Sequence, residues 1–173
     1  MVVARSYGGE VATDLALRYP DRARALVLLE AAPVELLPVA AEWTRAFRDR
    51  LREVAATSGE DAIGEELIRE LAGEGAWGSL PHEARLIFTH NGPAVLADLQ
   101  GDWLKADAAA LAAINQPVLL IASTDSAPQL REPNEAMAAA LPNARSALVG
   151  GGHLIDPAAP EALAFIEEVL ESR

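Results

Sequence analysis

Val2-Val3-Ala4-Arg5-Ser6-Tyr7-Gly8-Gly9-Glu10 is the stretch on which the fold turns. An apolar strand runs into a small-x-Ser-x-Gly turn, and an amphipathic helix follows. Such a turn projects a serine hydroxyl clear of a sheet, and the backbone must fold sharply to do it. Ala4 and Gly8, two residues to either side, keep side chains out of the crowded bend, and Gly9 lets the helix approach the strand closely. The competing reading makes Ser6 a simple helix N-cap above an apolar face of Val11, Leu15 and Tyr19. A cap does not require small residues on both sides.

Beyond this turn, Ala25-Leu26-Val27-Leu28-Leu29-Glu30 is a short continuous apolar run closed by Pro33, as expected for a strand buried on both faces of a parallel sheet. Pro117 to Ala122 repeats the pattern, and Arg145 to Val149 supplies a further strand. Glu132 to Leu141 and Pro160 to Leu170 carry apolar residues at helical spacing, with Pro142-Asn143 stopping the first and Pro160 opening the second. Alternating strands and helices predict a parallel α/β sheet whose sites gather at the carboxyl ends of the strands. Ser6, Glu30, Asp125 and His153 all fall there.

Residues 34–113 break the rhythm with helical patterns such as Trp43-Phe47-Leu51-Val54 and Ile63-Leu67-Ile68-Leu71. They read as a helical cap inserted into a core of residues 1–33 and 114–173. Trp43, Trp77 and Trp103, with Phe47 and Phe88, lie inside this stretch and suit the apolar wall of a substrate pocket, or ordinary packing.

Composition narrows the classes of function. The 173 residues suffice for one domain with a sizeable core, and 51% hydrophobic against 23% charged residues fits a compact globular chain. A formal charge of -12 repels phosphate backbones and anionic lipid, which disfavours nucleic acid and membrane partners. The absence of cysteine removes disulfides, thiol catalysis and cysteine-metal sites. No secretory signal pattern precedes Val2, so a cytoplasmic location is the simplest expectation.

Taken together, the Val3-to-Gly9 turn, the Leu26-to-Glu30 strand, Pro117 to Asp125 and Gly150-Gly151-Gly152-His153 resemble the α/β-hydrolase superfamily. The likeness runs through nearly the whole chain and is to the carboxyl-terminal two-thirds of such a protein, starting at its elbow strand. The resemblance implies a truncated half-sheet of parallel strands with flanking helices and a cap. It also implies a serine hydrolase acting on an ester or related small-molecule acyl substrate, with no metal or organic cofactor. The family's chain order is serine, acid, histidine, which Ser6, Asp125 and His153 follow. Ser6 would attack, His153 would shuttle the proton, and Asp125 would fix the imidazole.

Glu30 is the alternative acid, since some relatives carry that residue at the end of the strand after the elbow helix. Of the oxyanion-hole donors, the Tyr7 amide is the one this sequence retains. Arg5 stands where relatives often have histidine or tryptophan, and is a candidate contact for a substrate carboxylate. His82 and His90 fall in the cap, as surface or pocket-lining residues. Two expectations follow from the missing front strands: an exposed apolar edge at Val2-Val3 that invites dimerisation, and a second reading of the chain as a non-catalytic binding module.

Overall fold

The structure, a computed structural model, describes residues 1–33, 36–101 and 104–172. Strands β1 (Val2–Arg5), β2 (Leu26–Leu29), β3 (Val118–Ser123) and β4 (Ala144–Val149) form one parallel sheet in the order β1-β2-β3-β4. The interior strands are those with continuous apolar runs. Every residue of β2 and β3 is buried, whereas β1 and β4, each with one unpaired edge in this sheet, mix half-buried and exposed positions. A strand covered above, below and on both sides favours apolar side chains, and the one hydroxyl here, Ser123 at the end of β3, is hydrogen-bonded, so edge and interior can be told apart by composition.

Alternate side chains of the interior strands feed two cores. Leu26, Leu28, Val118 and Leu120 point to one face, where they meet Ala12 and Ala16 of α1 (Tyr7–Arg18), Leu111 of α7 (Ala108–Leu111) and Met137 of α8 (Pro128–Ala140). Val27, Leu29, Leu119 and Ile121 point to the other, against Ala162, Phe165 and Val169 of α9 (Pro160–Glu171). Each fully buried leucine or isoleucine here contributes roughly 1.5–3 kcal/mol of transfer free energy.

The helix after the turn differs from its sequence reading. Its buried face is Gly9, Glu10, Ala12, Thr13 and Ala16, while Val11 and Tyr19 are exposed and Leu15 is half-buried. The cause is close approach. A Cβ on Gly9 would stand 2.0 Å from the Cβ of Ala31 and 2.2 Å from its carbonyl oxygen, so only small residues fit between helix and strand end.

The chain forms two compact units, Met1–Ala41 with Trp103–Arg173, and Glu42–Asp102. The second lies inside the 34–113 stretch and is helical: most of α2 (Pro38–Ser58), then α3 (Ile63–Ala72), α4 (Ala76–Ser79), α5 (His82–His90) and α6 (Gly92–Asp98). Phe47, Leu51, Ile63 and Ile68 are buried in it. Among the described residues, no helix is long and apolar enough to cross a membrane.

Candidate active site

Ser6 stands between β1 and α1 with φ 52° and ψ -132°, outside the ordinary range for an L-residue. Such a conformation costs about 1–3 kcal/mol and persists only where its surroundings fix it. Here the Ser6 N–H donates to Leu29 O at 3.1 Å and the Ser6 carbonyl accepts from the Gly9 N–H at 2.8 Å. The hydroxyl makes no capping bond to the helix. A plain N-cap is therefore excluded, since its extended backbone and its hydroxyl-to-amide bond are both missing.

The hydroxyl instead meets an imidazole from the far end of the chain. His153 Nε2 lies 3.0 Å from Ser6 Oγ, and His153 Nδ1 lies 2.8 Å from Glu30 Oε2. His153 is 3% exposed and the Glu30 side chain 0%, so the contacts are shielded from bulk water. Glu30 Oε1 also accepts the Ser123 N–H at 2.7 Å, and Oε2 accepts the Ser126 hydroxyl at 2.8 Å. With the carboxylate accepting at both oxygens, Nδ1 is the ring nitrogen that carries the hydrogen, which leaves Nε2 as an acceptor for the serine hydroxyl.

The order of sequence features puts Asp125 ahead of Glu30 as the partner of His153, and the geometry reverses it. Beyond the end of β3, Asp125 is exposed; its N–H donates to Ser123 Oγ at 3.1 Å, and its Oδ2 accepts the Gly151 N–H at 2.8 Å. Glu30 leaves the interior strand β2 at φ 42°, a second left-handed non-glycine residue, with its side chain in the buried space shared with His153.

Arg5 Nη1 donates to Ile155 O at 3.2 Å, tying the residue before the serine to the chain just past the histidine. Tyr7 opens α1, so its amide lies at the positive end of the helix dipole. In the second unit Trp43 stacks on Phe47 at 5.2 Å between ring centroids, and its indole N–H donates to Glu70 Oε1 at 3.1 Å. Trp77 is half-buried in α4, and His82 and His90 are exposed at the two ends of α5. Trp103 lies outside the described residues.

Ser123 and Ser126, both buried, are partners that sequence reasoning did not single out. Their one signal is position, in a hydroxyl-rich run that begins at the last residue of an interior strand. Among the described residues, no group of three or more His, Cys, Asp or Glu side chains could hold a metal ion.

Residues 1–155 match the family model for the alpha/beta hydrolase fold. No curated protein matches the chain. Among solved structures, an alpha/beta hydrolase enzyme from a Medee basin deep-sea metagenome library aligns over 99% of this chain and 64% of its own, with TM-score 0.73 and 20% identity. MenH from S. aureus aligns over 98% and 66%, with TM-score 0.68 and 21% identity. An acetylester hydrolase from Corynebacterium glutamicum aligns over 98% and 60%, with TM-score 0.65 and 16% identity. The chain thus spans less than two thirds of the length of these structures.

Proposed function

This chain belongs to the alpha/beta hydrolase family, and from that premise we propose that it is a serine hydrolase of acyl esters, with Ser6 as nucleophile, His153 as general base and Glu30 as the acid. The observation that carries the reading is the continuous run Ser6 Oγ, His153 Nε2, His153 Nδ1, Glu30 Oε2, with contacts of 3.0 and 2.8 Å, starting from a serine held at positive φ.

In the first half-reaction Ser6 Oγ attacks the acyl carbon while its proton passes to His153 Nε2. The imidazolium so formed is stabilised by the Glu30 carboxylate, whose other contacts hold it in place. The carbonyl oxygen gains negative charge, and the Tyr7 N–H at the start of α1 is one donor for it. Collapse breaks the bond to the leaving alcohol, which takes the proton from Nε2. Water then attacks the acyl-serine with the same base, releasing the acid and restoring the hydroxyl. An ester is favoured as substrate class because this sequence of steps needs only a carbonyl and an oxygen leaving group, and the C. glutamicum neighbour is described as an acetylester hydrolase.

The test is reaction of the chain with a fluorophosphonate probe, alongside turnover of short and medium p-nitrophenyl esters. Stoichiometric labelling at Ser6, abolished in Ser6→Ala together with turnover, is expected. Equal labelling of Ser6→Ala would defeat the assignment. Labelling or turnover absent from the unsubstituted chain would favour the binding-module reading instead.

A further inference from the structure

The loop that delivers His153 is held by side chains from a different part of the sheet. Gly151 and Gly152 stand at φ 103° and 74°, a left-handed pair that glycine adopts without strain. Their amides turn towards the segment after β3. The Gly151 N–H donates to Asp125 Oδ2 at 2.8 Å, and the Gly152 N–H donates to Ser123 Oγ at 2.9 Å. Both bonds lie immediately before His153, so they set where the imidazole begins.

Ser123 works in two directions. Its hydroxyl oxygen accepts from the Gly152 and Asp125 amides, and its own N–H donates to Glu30 Oε1 at 2.7 Å. One fully buried residue thus grips the histidine loop through its side chain and the acid through its backbone. Asp125 has no ring nitrogen left to serve, because Nδ1 is engaged by Glu30 and Nε2 by Ser6. Its carboxylate accepts instead from Gly151 and, at 3.3 Å, from the Thr124 hydroxyl.

We infer that Asp125 and Ser123 are positioning residues: by accepting two consecutive glycine amides they place the His153 ring between serine and acid, and the Asp125 carboxylate acts as a backbone tether. The inference rests on His153 being the general base. It assigns the two carboxylates at the strand ends to separate tasks, Glu30 to the ring and Asp125 to the loop.

The experiment compares the unsubstituted chain with Asp125→Ala, Asp125→Asn, Ser123→Ala and Glu30→Gln. Amide hydrogen exchange at Gly151 and Gly152, the downfield proton resonance of His153 Nδ1–H, and kcat and KM for a p-nitrophenyl ester are measured on each. In Asp125→Ala, exchange at Gly151 rises and kcat falls on the order of tenfold with KM nearly constant. Asp125→Asn, which keeps an acceptor oxygen, recovers the Gly151 protection and most of kcat. Ser123→Ala exposes the Gly152 amide in the same way. Glu30→Gln shifts or abolishes the downfield resonance while Gly151 stays protected.

Asp125→Asn losing that resonance as completely as Glu30→Gln would overturn the inference and make Asp125 the acid. Unchanged Gly151 exchange in Asp125→Ala would overturn it equally. An unsubstituted chain inert towards ester and probe sinks the hydrolase reading, whereas the exchange data decide the tether without it.

Discussion

Replacing Gly9 by alanine inverts the usual sign of a glycine-to-alanine change within a helix. In an exposed helix the substitution stabilises by about 0.5–1 kcal/mol, because alanine loses less backbone entropy on folding. At Gly9 the new methyl carbon would sit 2.0 Å from Ala31 Cβ, 2.2 Å from Ala31 O and 2.7 Å from Ala31 Cα. Carbon atoms rest about 3.5–4.0 Å apart, so helix and strand end must separate by roughly 1.5–2 Å.

Two of the three atoms belong to the backbone directly after Glu30 and cannot rotate aside. Overpacking of this kind costs about 1–3 kcal/mol, which outweighs the entropic gain of about 0.5–1 kcal/mol. The movement also carries Ser6, whose carbonyl is bonded to the Gly9 N–H, away from an imidazole only 3.0 Å distant. Gly8→Ala is the control, since its nearest neighbour would be Ala4 Cβ at 4.0 Å. Urea unfolding midpoints and the rate of fluorophosphonate labelling report the two effects. The expected pattern is a lower midpoint and slower labelling for Gly9→Ala, against an equal or higher midpoint for Gly8→Ala. A Gly9→Ala chain as stable as its control and as reactive as the unsubstituted chain would refute the close-approach argument.

Two further substitutions probe the molecule away from the elbow helix. Arg5→Met removes the bond to Ile155 O and should lower stability by about 0.5–1.5 kcal/mol, read as a shift of the urea midpoint at constant slope. If KM rises for anionic esters but not for neutral ones, Arg5 contacts substrate, as its place beside the serine suggests. On the opposite edge of the sheet, the hydrogen bond from Arg145 holds the Glu168 carboxyl below its ordinary range, and the same bond raises Arg145. A carboxyl depressed in the native state lends stability that is present above its unfolded pKa and lost as pH falls through the native one. Glu168→Gln should therefore flatten the acid limb of the stability profile between those values while leaving the neutral region nearly unchanged, as both groups are exposed and screened. An unchanged acid limb would show that the pair is not formed in solution.

The strands were legible because burial on every side favours one composition: β2 is an unbroken apolar run and β3 is one up to its final serine, and both were readable within a residue or two of their ends. The sharp turn at Ser6 was legible from the small residues flanking it, and the bend before His153 from its glycines. The face of α1 was not. Reading by hydrophobicity selects Val11 and Tyr19, but the contact with Ala31 selects by size, and Gly9, Ala12 and Ala16 carry little apolar signal. The carboxylate that meets His153 was equally hidden. Glu30 and Asp125 both follow interior strands at the same end of the sheet, and linear order says nothing about which carboxylate crosses to a ring contributed after β4. Ser123 and Ser126 escape for a related reason, since a hydroxyl in a loop reads as solvated until a buried acceptor is found beside it.

Ser6 and the imidazole that faces it are 147 positions apart, a span that makes this contact one of the most entropically demanding in the polypeptide. The hydroxyl has no imidazole beside it until the loop after β4 is held against the end of β3. Reactivity towards a serine-directed probe would then report more than the identity of a nucleophile. It would report whether the two distant segments have come together, silent in any species in which they have not.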